Sequence, residues 1–161
     1  MIDTCIWVDV ERRRLVPNDV ERYTGSDAVF LSPVTVAELA LGVENTLDPS
    51  VKAKRQAALN RLRRKPCIAI DEETGLTFGS VAGQLRRAGR AREHRIQDLW
   101  IAAQAIQHGH RLLTRNGMAL RGASVEGRGA IGTAGTFAGR ATVTARARLD
   151  PGERFGLRAG L

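Results

Sequence analysis

Over the first 116 residues, short apolar runs alternate with longer segments of helical spacing. Met1-Ile2-Asp3-Thr4 predicts a short buried strand that ends on an acid, and Ile6, Trp7, Val8 and Val10 continue the apolar stretch as a helix. Ala28-Val29-Phe30-Leu31 predicts a second strand. Ser32-Pro33 stops it and opens a helix, because a serine hydroxyl caps free amide groups and proline's fixed φ suits the first helical position. Val34, Leu39, Leu41 and Val43 carry that helix to the region of Asn45. Residues 52–64 predict another helix, apolar at Ala57, Ala58 and Leu62, basic on its other side and ended by Pro66. Ile68-Ala69-Ile70 predicts a third strand. Asp71-Glu72-Glu73 then sets negative charge in the first turn of a helix reaching about Arg87. A last helix runs from Asp98 to His108 with Gly109 as its stop, and Arg111-Leu112-Leu113-Thr114 predicts a fourth strand.

Strands and helices in this alternation predict an α/β fold, a three-layer α/β/α arrangement around a central parallel sheet. Function in such sheets gathers beyond the carboxyl ends of the strands, and Asp3 and Asn116 lie at two such ends. After Asn116 the pattern is lost. Residues 117–161 hold 10 of the 17 glycines, with 9 alanines and 7 arginines, and Val143, Leu149 and Phe155 stand isolated. The expected organisation is therefore one domain over residues 1–116 and an irregular, mostly flexible tail over 117–161, with one strand near residues 142–148. A shifted reading frame is one source of such a composition, since GC-rich DNA read out of frame yields Ala, Gly and Arg; resequencing the gene tests it.

Length and composition narrow the class. A chain of 161 residues has the size of one domain, and 43% hydrophobic with 26% charged residues excludes wholesale disorder. The net charge of +8 favours a polyanionic partner, with nucleic acid first; an acidic protein or an anionic membrane surface suits basic balance alone equally well. Residues 1–116 carry 18 of the 25 Lys and Arg and 14 of the 17 Asp and Glu, so the basic excess is shared by both parts. Cys5 and Cys67 form no CxxC pair and are expected to be free thiols in a reducing compartment. No run approaches the ~18 apolar residues of a membrane span, and Asp3 and Asp9 interrupt the early apolar stretch. A soluble, cytoplasmic protein is expected.

Three acids sit where acids are costly. Asp3 ends a buried strand, Glu38 lies inside the nearly all-apolar Val34-Thr35-Val36-Ala37-Glu38-Leu39-Ala40-Leu41, and Asp98 opens Leu99-Trp100-Ile101-Ala102-Ala103. Taken singly, each has an ordinary explanation: a cap, a solvated face or an arginine pair. Taken together, three acids converging on one crevice need a counter-charge, because two unit charges ~4 Å apart repel by roughly 4 kcal/mol at an effective dielectric near 20. A hard, oxygen-seeking divalent ion supplies it.

At these residues the chain resembles the VapC-type PIN-domain ribonucleases. The opening Met1-Ile2-Asp3-Thr4-Cys5-Ile6-Trp7-Val8-Asp9 resembles their first strand and turn, and Leu31-Ser32-Pro33 through Gly42 their second-acid helix. Leu85-Arg86-Arg87-Ala88-Gly89-Arg90, with Ile96-Gln97-Asp98-Leu99-Trp100-Ile101-Ala102-Ala103, resembles the third-acid segment; Leu112-Leu113-Thr114-Arg115-Asn116 resembles the family's strand end. The resemblance implies a Mg²⁺- or Mn²⁺-dependent endoribonuclease toxin that hydrolyses RNA, forms a homodimer and is held by a cognate antitoxin. It makes Asp3, Glu38 and Asp98 the metal-binding acids, gives Thr4 and Thr114 supporting hydrogen bonds, and puts Asn116 where many relatives carry a fourth acid. Arg86, Arg87 and Arg90 would hold the RNA backbone, a solvated helix face being an equal reading. Gly117-Met118-Ala119-Leu120 departs from the acidic-aromatic pair often found there.

Two other patterns carry little. Gly127-Arg128-Gly129-Ala130-Ile131-Gly132 matches GxGxxG but lacks a firm strand before it. His108 and His110 lack further zinc ligands nearby. The competing function class is a catalytically impaired module that binds RNA or antitoxin without cleaving.

Overall fold

A computed structural model describes residues 1–90 and 95–115 in full, and the backbone of strands between residues 124 and 146. Six helices are present among the described residues: α1 (Thr4–Glu11), α2 (Pro17–Thr24), α3 (Pro33–Glu44), α4 (Pro49–Leu62), α5 (Glu72–Arg87) and α6 (Ile96–Gln107). Their starts follow local chemistry. Ser32 accepts a hydrogen bond from the Val34 amide, Asp48 from the Ser50 and Val51 amides, and Asp71 from the Thr74 amide. Their stops are equally local. Gly89 (φ 72°) and Gly109 (φ 65°) close α5 and α6 with paired backbone bonds, Arg90 to Leu85 and Gly89 to Arg86 in one, His110 to Ala105 and Gly109 to Ile106 in the other. Helix α2 was not expected from the apolar pattern; Pro17 at its first position and Asp19 in its first turn are its signals. Helix α4 begins at Pro49, earlier than the expected residue 52, because Asp48 caps it.

The four expected strands are reduced to two parallel bridges, Ile2 with Leu113 and Leu31 with Cys67. The Asp3 amide donates to the Leu113 carbonyl at 3.0 Å and the Leu113 amide to Met1 at 3.0 Å; the Leu31 amide donates to Pro66 and the Ile68 amide to Leu31. The ladder does not extend through residues 68–70. Instead the fully buried Gln104 turns its amide to the Ile68 and Ala69 carbonyls at 2.8 and 3.2 Å, tying α6 to that segment.

Alternation along these segments builds the layers. Met1 and Leu112 pack with Val81, Leu85, Leu99, Ile101 and Ile106 of α5 and α6, whereas Ile2 and Leu113 pack with Ile6, Leu15 and Val20 around α1 and α2. Helices therefore cover both faces of the central parallel layer, as an α/β/α arrangement requires. Helix α6 is buried on nearly every side, from Asp98 through Ile106, and Ala102, Ala103 and Ala105 let its neighbours approach closely.

Beyond residue 116 the backbone forms an antiparallel sheet of β1 (Ser124–Val125), β2 (Gly129–Phe137) and β3 (Arg140–Arg146), in that order. The strand expected near residues 142–148 corresponds to β3, joined by β1 and β2, which were not expected. Thr133 and Thr136 in β2 and Thr142, Val143 and Thr144 in β3 supply β-branched residues suited to it.

Candidate active site

The carboxyl end of the first segment and the carboxyl end of the last lie side by side through the Ile2–Leu113 bridge. That brings Asp3 next to Thr114. The Thr114 hydroxyl, fully buried, donates to Asp3 Oδ2 at 2.5 Å, and the Cys5 thiol donates to the same oxygen at 3.3 Å. Asp3 stands at the head of α1 and Asp98 in the first turn of α6, where helix dipoles favour negative charge. Both are deeply buried, at 4% and 3% exposure. Burial pushes the Asp3 carboxyl above its ordinary pKa and the nearby Asp98 charge adds to the rise, while the bonds from Thr114 and Cys5 pull it down. The two acids are thus close enough to repel.

Glu38 projects from α3 on the other side. The α1 and α3 helices are pinned together by Thr4 Oγ1 donating to the fully buried Thr35 Oγ1 at 3.2 Å. Glu38 lines a cleft of about 490 Å³ with Thr4, Cys5, Val8, Asp9, Arg95 and Arg115. Its Oε2 is buried and has no hydrogen-bond donor among the described residues. A carboxylate oxygen in that condition is costly unless a cation satisfies it.

Asp9, Thr35, Arg95 and Arg115 are the residues that sequence reasoning missed. Asp9 is buried at 2% exposure in α1 and forms ion pairs with Arg115 and, at 3.6 Å, with Arg14. The signal was present: like Glu38, it is an acid in an apolar helix. Arg95 Nη2 lies 3.5 Å from Asp98 Oδ1, one helical turn before it. Of the arginines expected to meet RNA, Arg86 and Arg87 end α5 and are exposed, and Arg90 follows the Gly89 turn half-buried; none lines this cleft. Asn116 lies outside the described residues.

The donor set is one of hard oxygens, suited to Mg²⁺ or Mn²⁺. Among the described residues no three His, Cys, Asp or Glu side chains close around a point that would enclose an ion. The arrangement is an open one: two buried acids that repel, with a donor-less Glu38 oxygen on the wall of the neighbouring cleft. Mg²⁺ fits such an opening because it keeps several waters, so that one or two of these acids can bind it directly and the rest through its water shell. The residues therefore fit a divalent ion by their chemistry.

Cys5 and Cys67 are free thiols, as expected. Among the described residues no helix is long and apolar enough to cross a membrane.

Comparison with known proteins agrees with this layout. The PIN domain family model matches residues 1–123. Ribonuclease VapC4 of Mycobacterium tuberculosis (strain ATCC 25618 / H37Rv) is 32% identical over 116 residues, covering 72% of this chain and 85% of that protein. Ribonuclease VapC5 of the same strain is 28% identical over 116 residues, with 72% and 82% covered. Among solved structures, the VapBC-5 toxin–antitoxin complex of M. tuberculosis superposes with a TM-score of 0.62 at 28% identity, over 76% of this chain and 90% of that one. VapBC-1 of nontypeable Haemophilus influenzae gives a TM-score of 0.62 at 26% identity, over 74% and 87%. With the family model matching residues 1–123 and a VapC ribonuclease 32% identical over 72% of this chain, the protein belongs to the PIN-domain family, among the VapC ribonucleases.

Proposed function

We propose that this protein is the toxin of a toxin–antitoxin pair, an endoribonuclease that hydrolyses RNA phosphodiester bonds with Mg²⁺ or Mn²⁺. The observation that carries the reading is the burial of the Asp3 and Asp98 carboxylates in one region, beside a Glu38 oxygen that lacks a donor among the described residues. Asp3, Asp98 and Glu38 would hold the ion. When bound, it supplies positive charge that lowers the pKa of water and steadies the phosphoryl oxygens. Thr114 and Cys5 fix which way the Asp3 carboxylate faces. Thr4, bonded to Thr35, holds α1 against α3 and so sets the distance between Asp3 and Glu38. Arg95 and Arg115 give the cleft wall a positive component for the RNA backbone, and Arg86, Arg87 and Arg90 would hold that backbone outside the cleft.

A cognate antitoxin and a homodimer belong to the same reading. Its solved neighbours belong to VapBC toxin–antitoxin systems, and Leu41, Leu47, Leu76 and Ile96 are apolar side chains exposed on this chain that a partner would cover. The test is a cleavage assay of purified, antitoxin-free protein on total RNA. Discrete cleavage with Mg²⁺ or Mn²⁺, abolished by EDTA, is the expected result; RNA binding without cleavage at any divalent concentration would leave a binding module in its place.

A further inference from the structure

We propose that Arg95 is a built-in counter-cation of the acidic cleft, which neutralises Asp98 in the metal-free protein and is displaced by the divalent ion towards the RNA backbone. The inference rests on the metal-dependent reading above.

Arg95 occupies the N-cap of α6, and no side-chain capping bond forms there. A guanidinium has no acceptor with which to cap, and the positive end of a helix dipole repels it. Helix stability therefore gives no reason for an arginine in this place. Its surroundings do. Arg95 Nη2 is 3.5 Å from Asp98 Oδ1, and its side chain lines the cleft shared with Asp9 and Glu38. It pairs with Asp98 and shares the cleft lining with Asp9 and Glu38, so its place follows from the acids around it and not from the needs of the helix.

The two arginines of the cleft differ in how firmly they are held. Arg115 is only 24% exposed, is ion-paired to the buried Asp9, and its amide donates to Cys5 Sγ at 3.4 Å. Arg95 is 64% exposed and reaches Asp98 by a pair just inside contact range. A change of rotamer carries it out of the cleft at little cost. Guanidinium and metal ion cannot share the Asp98 carboxylate without bringing like charges together. Each must weaken the other's hold. Once released, the guanidinium matches a phosphate, so RNA binding and metal binding strengthen one another by the same factor.

The test measures free Mn²⁺ by electron paramagnetic resonance while the full chain is titrated, comparing wild type, Arg95→Gln, Arg95→Lys and Asp98→Asn. Arg95→Gln is expected to bind Mn²⁺ about two- to fivefold tighter, the size of effect a partly exposed ion pair permits. Arg95→Lys, which keeps the charge, is expected to stay close to wild type, and the KM for RNA should rise several-fold in Arg95→Gln. Unchanged or weaker Mn²⁺ binding in Arg95→Gln, with binding lost in Asp98→Asn, overturns the counter-cation and leaves the metal site standing. Mn²⁺ binding by Asp98→Asn equal to wild type overturns the metal site itself.

Discussion

Thr114 and Asp3 lie 111 positions apart in the chain, yet the Thr114 hydroxyl donates a 2.5 Å bond to Asp3 Oδ2 inside the protein. The bond exists because two short parallel segments place their carboxyl ends together. Thr114→Val keeps the shape and removes the donor. It is expected to lower stability by about 0.5–1.5 kcal/mol, the net worth of one hydrogen bond, since the Cys5 thiol still donates to the same oxygen, and to slow RNA cleavage about tenfold by loosening the carboxylate. Thr114→Ser should restore both. Denaturant melts and cleavage rates of the two variants check this, and an unaltered rate in Thr114→Val would show that the carboxylate needs no such restraint.

The same carboxyl sets a dependence on pH. Burial, then the Asp98 charge, raises the Asp3 pKa above the ordinary 3.8, so the folded chain holds this proton more tightly than the unfolded chain. The stabilising contribution is complete below the unfolded value and is lost as pH rises through the folded one. Metal-free protein should therefore melt lower as pH climbs from about 4 towards neutrality, and Asp3→Asn should flatten that slope and melt higher at neutral pH. Mn²⁺ should raise the wild-type melting temperature and leave that of Asp3→Asn in place. Thermal melts across the range decide it; a wild-type slope matched by Asp3→Asn assigns the effect elsewhere.

The two thiols should react very differently. Burial, together with the charge of Asp3, pushes Cys5 up to about 12, whereas Cys67 is exposed, its thiol raised by partial burial alone. Since the thiolate is the nucleophile, iodoacetamide at pH 8 should label Cys67 and spare Cys5 until the protein is unfolded. Peptide mass spectrometry of the labelled chain reads this directly.

Arg13 closes α1 with φ 56°, a left-handed conformation that glycine adopts without a side-chain clash. Arg13 and Arg14 amides nevertheless complete the helix stop by bonding to Val10 and Asp9 carbonyls at 3.1 and 2.8 Å. Arg13→Gly is expected to stabilise the protein by up to about 1 kcal/mol, and its denaturation midpoint should rise with an unchanged slope.

Much of this architecture was legible in the residues. Ser32-Pro33, Asp71-Glu72-Glu73 and Gly109 fixed three helix boundaries through local chemistry that no tertiary context overrode. Asp3, Glu38 and Asp98 stood out as acids in apolar surroundings, and Asp3 and Asp98 prove to be buried neighbours. What stayed hidden depends on contacts between distant segments. Residues 68–70 are apolar enough for a strand, but Gln104, more than thirty positions away, takes their carbonyls. Arg86, Arg87 and Arg90 were singled out through the resemblance, whereas the cleft is lined by Arg95 and Arg115, whose places follow from the packing of α6 and the last parallel segment. Helix α2 was obscured because only Val20 of its eight residues is buried.

The central claim is that Asp98, with Asp3 and Glu38, seats the divalent ion on which RNA cleavage depends. The cleavage rate of one labelled RNA by Asp98→Asn, beside wild type at saturating Mg²⁺, tests it most directly. The account predicts a fall of at least about 100-fold, equivalent to about 2.7 kcal/mol of transition-state stabilisation, in a variant that melts no lower than wild type. A rate within a few-fold of wild type would contradict it.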